Sequence, residues 1–303
     1  MRVNEHGLPK RERIEEVVIR PKLSLAEAEK KFKGRYLSHE DYDLRPTKSL
    51  WGKFEDGRTA FIYLTDGLSA NSIAFETTHE AVHRLKFNDV KNSRRAGLKK
   101  SKGGELVLGY VNFPFPRAAA NTYKQWEEYS RFVFLLQWIG AIIHAYLPEY
   151  HAQQLAIARE QMEFLPGLDY HREPTIKETP EQIHKFYKKL LDDEHPVAQA
   201  AFPIYSALQI NKSTLFRSHA DAKNEGGLAC LTAFGKWAGG EFCLPRLRVA
   251  FPLQPGSVLI ADNNNEQHGN IGPLVGNRIS VVAYLRAMKK AGPNAKAARA
   301  GRS

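Results

Sequence analysis

Four polar side chains in the last third of the chain have the types and order that can hold a transition metal beside an anion. His219 and Asp221 form a His-x-Asp pair, His268 follows, and Arg278 lies ten residues later. Two imidazoles and one carboxylate form the facial triad that binds non-haem Fe(II) and leaves coordination positions open. A guanidinium binds a carboxylate through two parallel hydrogen bonds. The pattern predicts an iron centre with an anion-binding arginine.

Short predicted strands surround these residues. Turn signals such as Gly239-Gly240, Pro255-Gly256 and Gly272-Pro273 separate them. Eight short strands with this spacing predict a jelly roll, also called a double-stranded β-helix. The predicted strands cover 202–210, 213–219, 228–234, 241–244, 247–251, 257–262, 267–271 and 278–286.

The last of these strands has one apolar and one polar face, because side chains alternate along a strand. We expect the apolar face to pack on helices and the polar face to line a pocket. The apolar face carries Ile279, Val281, Ala283 and Leu285, and the other carries Arg278, Ser280, Val282, Tyr284 and Arg286. An inward guanidinium requires a polar or anionic partner. A dicarboxylate satisfies Arg278, and the alternative is a structural ion pair with Asp262 or Glu241.

Several short motifs resemble those of the 2-oxoglutarate- and Fe(II)-dependent dioxygenases. Within that superfamily, the stretch from Leu208 to Asn224 resembles the TET/JBP branch, and especially its fungal members. Enzymes of this branch oxidise the methyl group of modified bases. The resemblance covers about 85 of the 303 residues. The motifs are His219-Ala-Asp221, Gly239-Gly240-Glu241-Phe242, Pro255-Gly256-Ser257, His268-Gly269-Asn270 and Arg278-Ile-Ser280.

The resemblance implies an enzyme that uses Fe(II) and 2-oxoglutarate, with O2 as co-substrate. It implies His219, Asp221 and His268 as catalytic metal ligands. It also implies that Arg278 and Ser280 hold the distal carboxylate of 2-oxoglutarate. The implied fold is α+β, with a jelly-roll core flanked by N-terminal helices.

The implied substrate is a methylated base in DNA, with 5-methylcytosine oxidised to the hydroxymethyl and further to the formyl and carboxyl forms. The base must be flipped out of the duplex to reach such a pocket. Asn224 and Tyr284 fall where the family contacts the base, and Arg286 stands where the animal enzymes have a histidine. The alternatives are RNA, alkylated bases or a protein side chain as substrate, or a catalytically silent jelly roll that only binds nucleic acid.

Composition also favours a polyanionic partner. The formal charge is +11 and the isoelectric point is about 9.5. A basic run between residues 91 and 102 includes Lys99 and Lys100, which we expect to contact phosphates, with a solvated loop as the alternative. Two cysteines suit a reducing compartment. We therefore predict a nuclear location, with the cytoplasm as the alternative.

The predicted organisation has three parts. Residues 1–35 form a basic N-terminal arm, which contains a helix over 25–32 capped by Ser24. Residues 36–286 form a single dioxygenase domain, with a helical and basic support over 36–200 and the jelly-roll core over 201–286. Residues 287–303 form a basic disordered tail. The support contains strands over 58–65, at a sheet edge, and 107–115, and helices over 121–147, 149–164 and 180–191.

No membrane association and no obligatory protein partner are expected. The first 35 residues are charged rather than apolar, which predicts no signal peptide. The longest uncharged run covers residues 132–147 and is short for a membrane span.

A second metal motif competes with the first. His79-Glu80-Ala81-Val82-His83 matches the zinc-peptidase pattern, in which two histidines one helical turn apart bind the metal. Arg84 places a charge directly after the second histidine, and no third ligand is evident. We therefore keep a metallopeptidase only as the rival hypothesis.

Overall fold

A computed structural model describes residues 14–89, 104–109, 117–163, 204–221 and 227–285. Within these ranges the chain forms a nine-stranded sheet, a three-stranded sheet and five α-helices. Apolar side chains from both sheets share one buried cluster, and the helices contribute to another. The predicted α+β class with a double-sheet core is confirmed.

The strands and helices have the following bounds. The strands are β1 (Glu15–Ile19), β2 (Leu50–Phe54), β3 (Thr59–Leu64), β4 (Asn88–Asp89), β5 (Gly104–Gly109), β6 (Ala207–Lys212), β7 (Leu228–Gly239), β8 (Phe242–Leu244), β9 (Val249–Phe251), β10 (Val258–Asp262), β11 (Gly269–Asn270) and β12 (Leu274–Tyr284). The helices are α1 (Leu25–Phe32), α2 (Ser72–Arg84), α3 (Arg117–Lys124), α4 (Trp126–Tyr146) and α5 (Pro148–Glu163).

The large sheet has the order β1-β2-β3-β10-β7-β12-β6-β5-β4, and the small one has the order β11-β8-β9. The long antiparallel pair β7 and β12 lies near the middle of the large sheet. The strand predicted over 58–65 at a sheet edge is β3, which lies between β2 and β10. That edge prediction is wrong, since β2 and β1 extend the sheet beyond β3.

Strand β12 separates the two apolar clusters as its alternation predicts. Ile279, Val281 and Ala283 belong to the cluster that includes α2, α4 and α5. Tyr284 belongs to the cluster between the two sheets, and Val282 packs against it. The helical layer therefore covers one face of β12, and the other face of β12 points toward the small sheet.

The helical layer is built mainly from α4, whose buried residues include Phe132, Trp138 and Ile142. The helix predicted over 121–147 is divided in two at Gln125, which has non-helical dihedral angles. Helix α5 begins at Pro148, since a proline at the first helical position loses no hydrogen bond. No helix in the described ranges is long and apolar enough to cross a membrane.

One segment differs from its predicted conformation. Residues 213–219 are predicted as a strand, yet they contribute only an isolated bridge between His219 and His268. The predicted N-terminal arm is folded from residue 14 onward, because β1 pairs with β2 and Phe32 of α1 is buried. The predicted capping box of Ser24 and Glu27 is present.

Candidate active site

The three predicted metal ligands converge. Asp221 Oδ1 lies 3.8 Å from His219 Nε2, and Asp221 Oδ2 lies 3.6 Å from His268 Nε2. One ligand atom from each residue lies within 4.8 Å of the others. Among the described residues this is the one cluster of histidine, cysteine or acidic side chains that could hold a metal ion.

The backbone brings these residues together from two separate segments. His219 N donates to His268 O at 2.9 Å, and His268 N donates to His219 O at 2.8 Å. This antiparallel bridge places the two imidazoles side by side, with ring centroids 4.4 Å apart. Asp221 N donates to Asn263 O at 2.8 Å, which fixes the carboxylate next to them.

Both imidazoles are oriented for metal binding through Nε2. His219 Nδ1 lies 2.8 Å from Arg217 O, and His268 Nδ1 lies 3.0 Å from Glu266 O. A carbonyl oxygen only accepts, so each Nδ1 carries a proton, and the neutral form of each ring keeps its lone pair on Nε2. Such a hydrogen bond fixes the tautomer that a metal requires. The donor set therefore fits Fe(II).

An ion pair that the sequence did not reveal supports the His268 segment. Arg246 Nε donates to both carboxylate oxygens of Glu266, at 3.0 and 2.8 Å, and Arg246 Nη1 donates to Leu23 O at 3.4 Å. Glu266 is buried and supplies the carbonyl that orients His268. The Phe242 ring stacks on His268 at 5.4 Å. No spacing rule connects Arg246 with Glu266, so only the fold identifies them.

Arg278 is buried between the two sheets, with 3% of its surface exposed. Its Nη2 donates to Thr214 O at 3.0 Å and its Nη1 donates to Gly240 O. Asn270, two residues after His268, donates to the same Gly240 carbonyl. This contact links Arg278 to the segment that carries His268. Loss of hydration lowers the pKa of Arg278 to about 10, although Glu241 opposes this shift. The guanidinium is thus charged at neutral pH and poorly hydrated.

The alternative of a structural ion pair for Arg278 is not found among the described residues. Glu241 pairs with Arg45 at 3.0 Å. Asp262 accepts hydrogen bonds from Asn264 and Asn265. Since a guanidinium has five N–H donors, Arg278 keeps capacity for a carboxylate after its two carbonyl contacts.

The remaining predicted site residues divide into two groups. Ser280 is half-buried on the same face of β12 as Arg278, and Tyr284 is buried further along that face. Their contacts with cofactor and base stay predictions. Asn224, Arg286, Lys99 and Lys100 lie outside the described residues. The predicted helix over 180–191 and the basic tail lie outside them as well.

The rival zinc motif lies on α2 and lacks the features of a metal site. Glu80, which would activate water, instead forms ion pairs with Arg131 at 3.0 Å and Arg84 at 3.7 Å. No third ligand joins the two histidines within the described part of the chain. The motif is therefore part of a surface helix, and its Glu80 forms ion pairs there rather than serving a metal site.

The double-sheet core, the His-x-Asp pair, the second histidine and the buried arginine match the site that the resemblance to the 2-oxoglutarate/Fe(II) dioxygenases implies. The chain matches no family model. Over 134 residues it is 31% identical to the bifunctional helicase and thymine dioxygenase JBP2 of Leishmania infantum, and to that of Leishmania major. The alignment covers 40% of this chain and 12% of each relative. The predicted resemblance to the TET/JBP group is confirmed, whereas membership of its fungal branch stays a prediction.

Two solved structures are also similar. NgTET1 in complex with 5mC DNA aligns over 86% of this chain and 88% of that chain, with 14% identity and a TM-score of 0.48. The dioxygenase for auxin oxidation in rice aligns over 76% of this chain and 74% of that chain, with 14% identity and a TM-score of 0.30.

Proposed function

We propose that the chain is an Fe(II)- and 2-oxoglutarate-dependent dioxygenase that oxidises a methylated base in DNA, with 5-methylcytosine as the first candidate. The observation that carries the proposal is the convergence of His219, Asp221 and His268, with both Nε2 atoms facing the carboxylate. The similarity to thymine dioxygenases over 40% of the chain supports a DNA base as the substrate.

His219, Asp221 and His268 would hold Fe(II), and Arg278 with Ser280 would hold the distal carboxylate of 2-oxoglutarate. Iron, 2-oxoglutarate and O2 together supply the oxidising power that a methyl C–H bond requires and that no side-chain acid or base provides. Arg278 contributes a poorly hydrated positive charge, which a bound carboxylate compensates. The Nδ1–H bonds to Arg217 O and Glu266 O keep both imidazoles aimed at one point.

The substrate base would enter the pocket after flipping out of the duplex. Tyr284 would stack on the base, Asn224 would contact its polar edge, and Arg286 would lie close to both. Lys99 and Lys100 would contact phosphates of the flanking DNA. A DNA substrate and the basic composition favour the nucleus as the place of action.

Thymine is the second candidate base, and the similarity to thymine dioxygenases favours it. Thymine and 5-methylcytosine both carry their methyl group on C5, so one pocket geometry suits either. They differ at position 4, where a carbonyl replaces an amino group. The side chain that reads this position therefore decides between the two.

The base is identified by incubating the protein with Fe(II), 2-oxoglutarate and three duplexes that carry 5-methylcytosine, N6-methyladenine or only thymine as the methylated base. Nucleosides are then separated and identified by mass spectrometry. We expect hydroxymethylcytosine from the first duplex. If hydroxymethyluracil is the only product, thymine rather than 5-methylcytosine is the substrate. Absence of oxidised bases from all three, with oxidised RNA or protein found instead, would overturn the DNA proposal.

A further inference from the structure

The segment that follows α1 is hydrogen-bonded to the segment that carries His219, the first candidate metal ligand. Gly34 N donates to Ser218 O at 2.7 Å, and Ser218 N donates to Arg35 O at 2.8 Å. Ser218 directly precedes His219. Because this pairing fixes the two backbones side by side, the residues next to Gly34 lie beside the segment that carries His219.

An aromatic ring and a guanidinium pack together beside this segment. Tyr36 is 45% exposed, and Arg217 Cζ lies 4.6 Å from the centroid of its ring. Arg217 is also the residue whose carbonyl orients His219. Stacking on an aromatic ring restrains the guanidinium while its N–H donors can still reach an anion.

The same region is basic. Lys31 and Arg35 are exposed, and neither forms an ion pair with a described residue. Arg217 is half-buried, its Nε is enclosed without a hydrogen-bond partner, and it likewise forms no ion pair with a described residue. Lys33 pairs with Glu29. By contrast, arginines elsewhere have acidic partners at hand: Arg20 pairs with Glu55, Arg58 with Asp56 and Arg248 with Asp43.

We propose that Lys31, Arg35, Tyr36 and Arg217, here called the rim surface, bind the phosphate backbone of nucleic acid beside the nucleotide that occupies the pocket. This inference deepens the proposed function and rests on it for the kind of polymer. A planar guanidinium can donate two hydrogen bonds to one phosphate. Since Arg217 is two residues from His219, a phosphate held there fixes the distance between the backbone and the metal.

Helix capping accounts for only part of the rim surface. Cations in the last turn of a helix interact favourably with its dipole, which explains Lys30 and Lys31 in α1. Arg35 Nη1 also donates to Lys31 O at 3.2 Å in the last turn of α1. Tyr36, however, lies beyond the helix, and Arg217 comes from a distant part of the sequence. A shared anionic ligand explains why they gather beside the metal site.

The rim surface is tested by fluorescence anisotropy on the full chain with a labelled 5-methylcytosine duplex, over a range of salt concentrations. The variants are Arg35→Ala, Arg217→Ala and Tyr36→Ala. Arg159→Ala is the matched control, since Arg159 is an exposed arginine on α5, in the helical layer. We expect severalfold weaker binding for each rim variant, and a slope of log K against log salt that is shallower by about 0.9 for each lost arginine.

Equal binding by Arg35→Ala, Arg217→Ala and Arg159→Ala would overturn the rim surface. Arg217→Lys is included because truncation at position 217 could disturb the fold. Lysine keeps the positive charge but lacks the planar guanidinium that stacks on Tyr36. We therefore expect an affinity between those of the unmodified protein and Arg217→Ala. Binding is measured without Fe(II) or 2-oxoglutarate. If the rim variants weaken salt-dependent binding but the separate assay yields no oxidised base, the proposed activity is refuted. The rim surface is then still supported. If the base is oxidised but the rim variants bind DNA as tightly as the unmodified protein, the enzyme proposal holds and the rim surface is refuted.

Discussion

Each histidine ligand is oriented by the carbonyl of the residue two positions earlier in the chain. Arg217 O serves His219, and Glu266 O serves His268. The two rings thus obtain the same tautomer from equivalent backbone contacts, without a side-chain carboxylate. At the scale of single residues, the metal site depends on three ligands and two carbonyls, and substitution of a ligand separates chemistry from binding.

Replacement of His219 by alanine removes one ligand and leaves the rest of the site in place. We expect His219→Ala to abolish oxidation of the base and to change the affinity for DNA by no more than about twofold, because phosphate contacts dominate that affinity. His79→Ala is the control, since His79 is an exposed histidine on α2. Mass spectrometry gives the rate, and anisotropy gives the affinity. Equal rates for His219→Ala and the unmodified protein would refute the catalytic assignment.

Replacement of Arg278 by lysine keeps a positive charge but removes the planar fork. We expect Arg278→Lys to raise the KM for 2-oxoglutarate by about tenfold or more, because bidentate recognition is lost. The buried charge of Arg278 also gives a pH dependence. Its pKa is lowered to about 10, so the affinity for 2-oxoglutarate should fall as pH rises through that value. Thermal shift with and without 2-oxoglutarate measures the affinity, and an unchanged shift in the variant would contradict the assignment.

At the scale of elements, the turn between β8 and β9 supports the metal segment from outside. Arg246 lies in this turn, binds Glu266 and reaches Leu23 before α1. Glu266 in turn lies two residues from His268. The N-terminal segment, the turn and the segment that carries His268 are therefore joined through the partly buried guanidinium of Arg246.

We predict that Arg246→Met destabilises the fold by about 3 kcal/mol, because the buried Glu266 carboxylate loses its partner. Because this pair positions the segment that holds His268, the affinity for Fe(II) should fall by roughly tenfold or more. Thermal melts and metal titrations measure both effects.

The matched control is Arg248→Met in the same turn region. Arg248 pairs with Asp43, whose side chain is largely exposed, and an exposed pair contributes at most about 1 kcal/mol. The double variant Arg246→Met with Glu266→Gln should recover part of the stability, since no unpaired charge remains. An Fe(II) affinity for Arg246→Met equal to that of Arg248→Met would contradict the positioning role.

Elements were predictable where the signal is local. The capping box at Ser24 and the alternation along β12 depend on residues within a few positions of one another, and both are present. The interior place of β3 could not be predicted, because it depends on β2 and β1 pairing beyond it. Residues 213–219 have the sequence pattern of a strand. Their hydrogen bonds instead go to the N-terminal segment, to Arg278 and to the segment of His268 and Asn270, and form no continuous ladder.

The residues that converge at the candidate site were predictable from the sequence, whereas the residues that support them were not. His219, Asp221, His268 and Arg278 have diagnostic types and order in the sequence. Arg246 and Glu266 are ordinary surface residue types, and only tertiary packing makes them a buried pair. The rim surface was likewise invisible, since Tyr36 and Arg217 meet only in the folded chain.

At the scale of the whole molecule, the net charge of +11 governs association with a polyanion. We expect the affinity for DNA to fall steeply with salt. Lys99→Ala with Lys100→Ala should lower the slope of log K against log salt by about two, since each lost phosphate contact releases about one counterion fewer. Anisotropy over a salt series measures the slope. Binding that is insensitive to salt would contradict the role given to these lysines.

The most direct test of the central claim is whether base oxidation requires the metal and the keto acid together. The protein is incubated in air with a 5-methylcytosine duplex and both Fe(II) and 2-oxoglutarate, then with each left out in turn, and then with a chelator. Mass spectrometry of the nucleosides measures the product. The account predicts oxidised base only in the complete mixture. Oxidised base formed equally in the presence of the chelator, or after 2-oxoglutarate is left out, would contradict it.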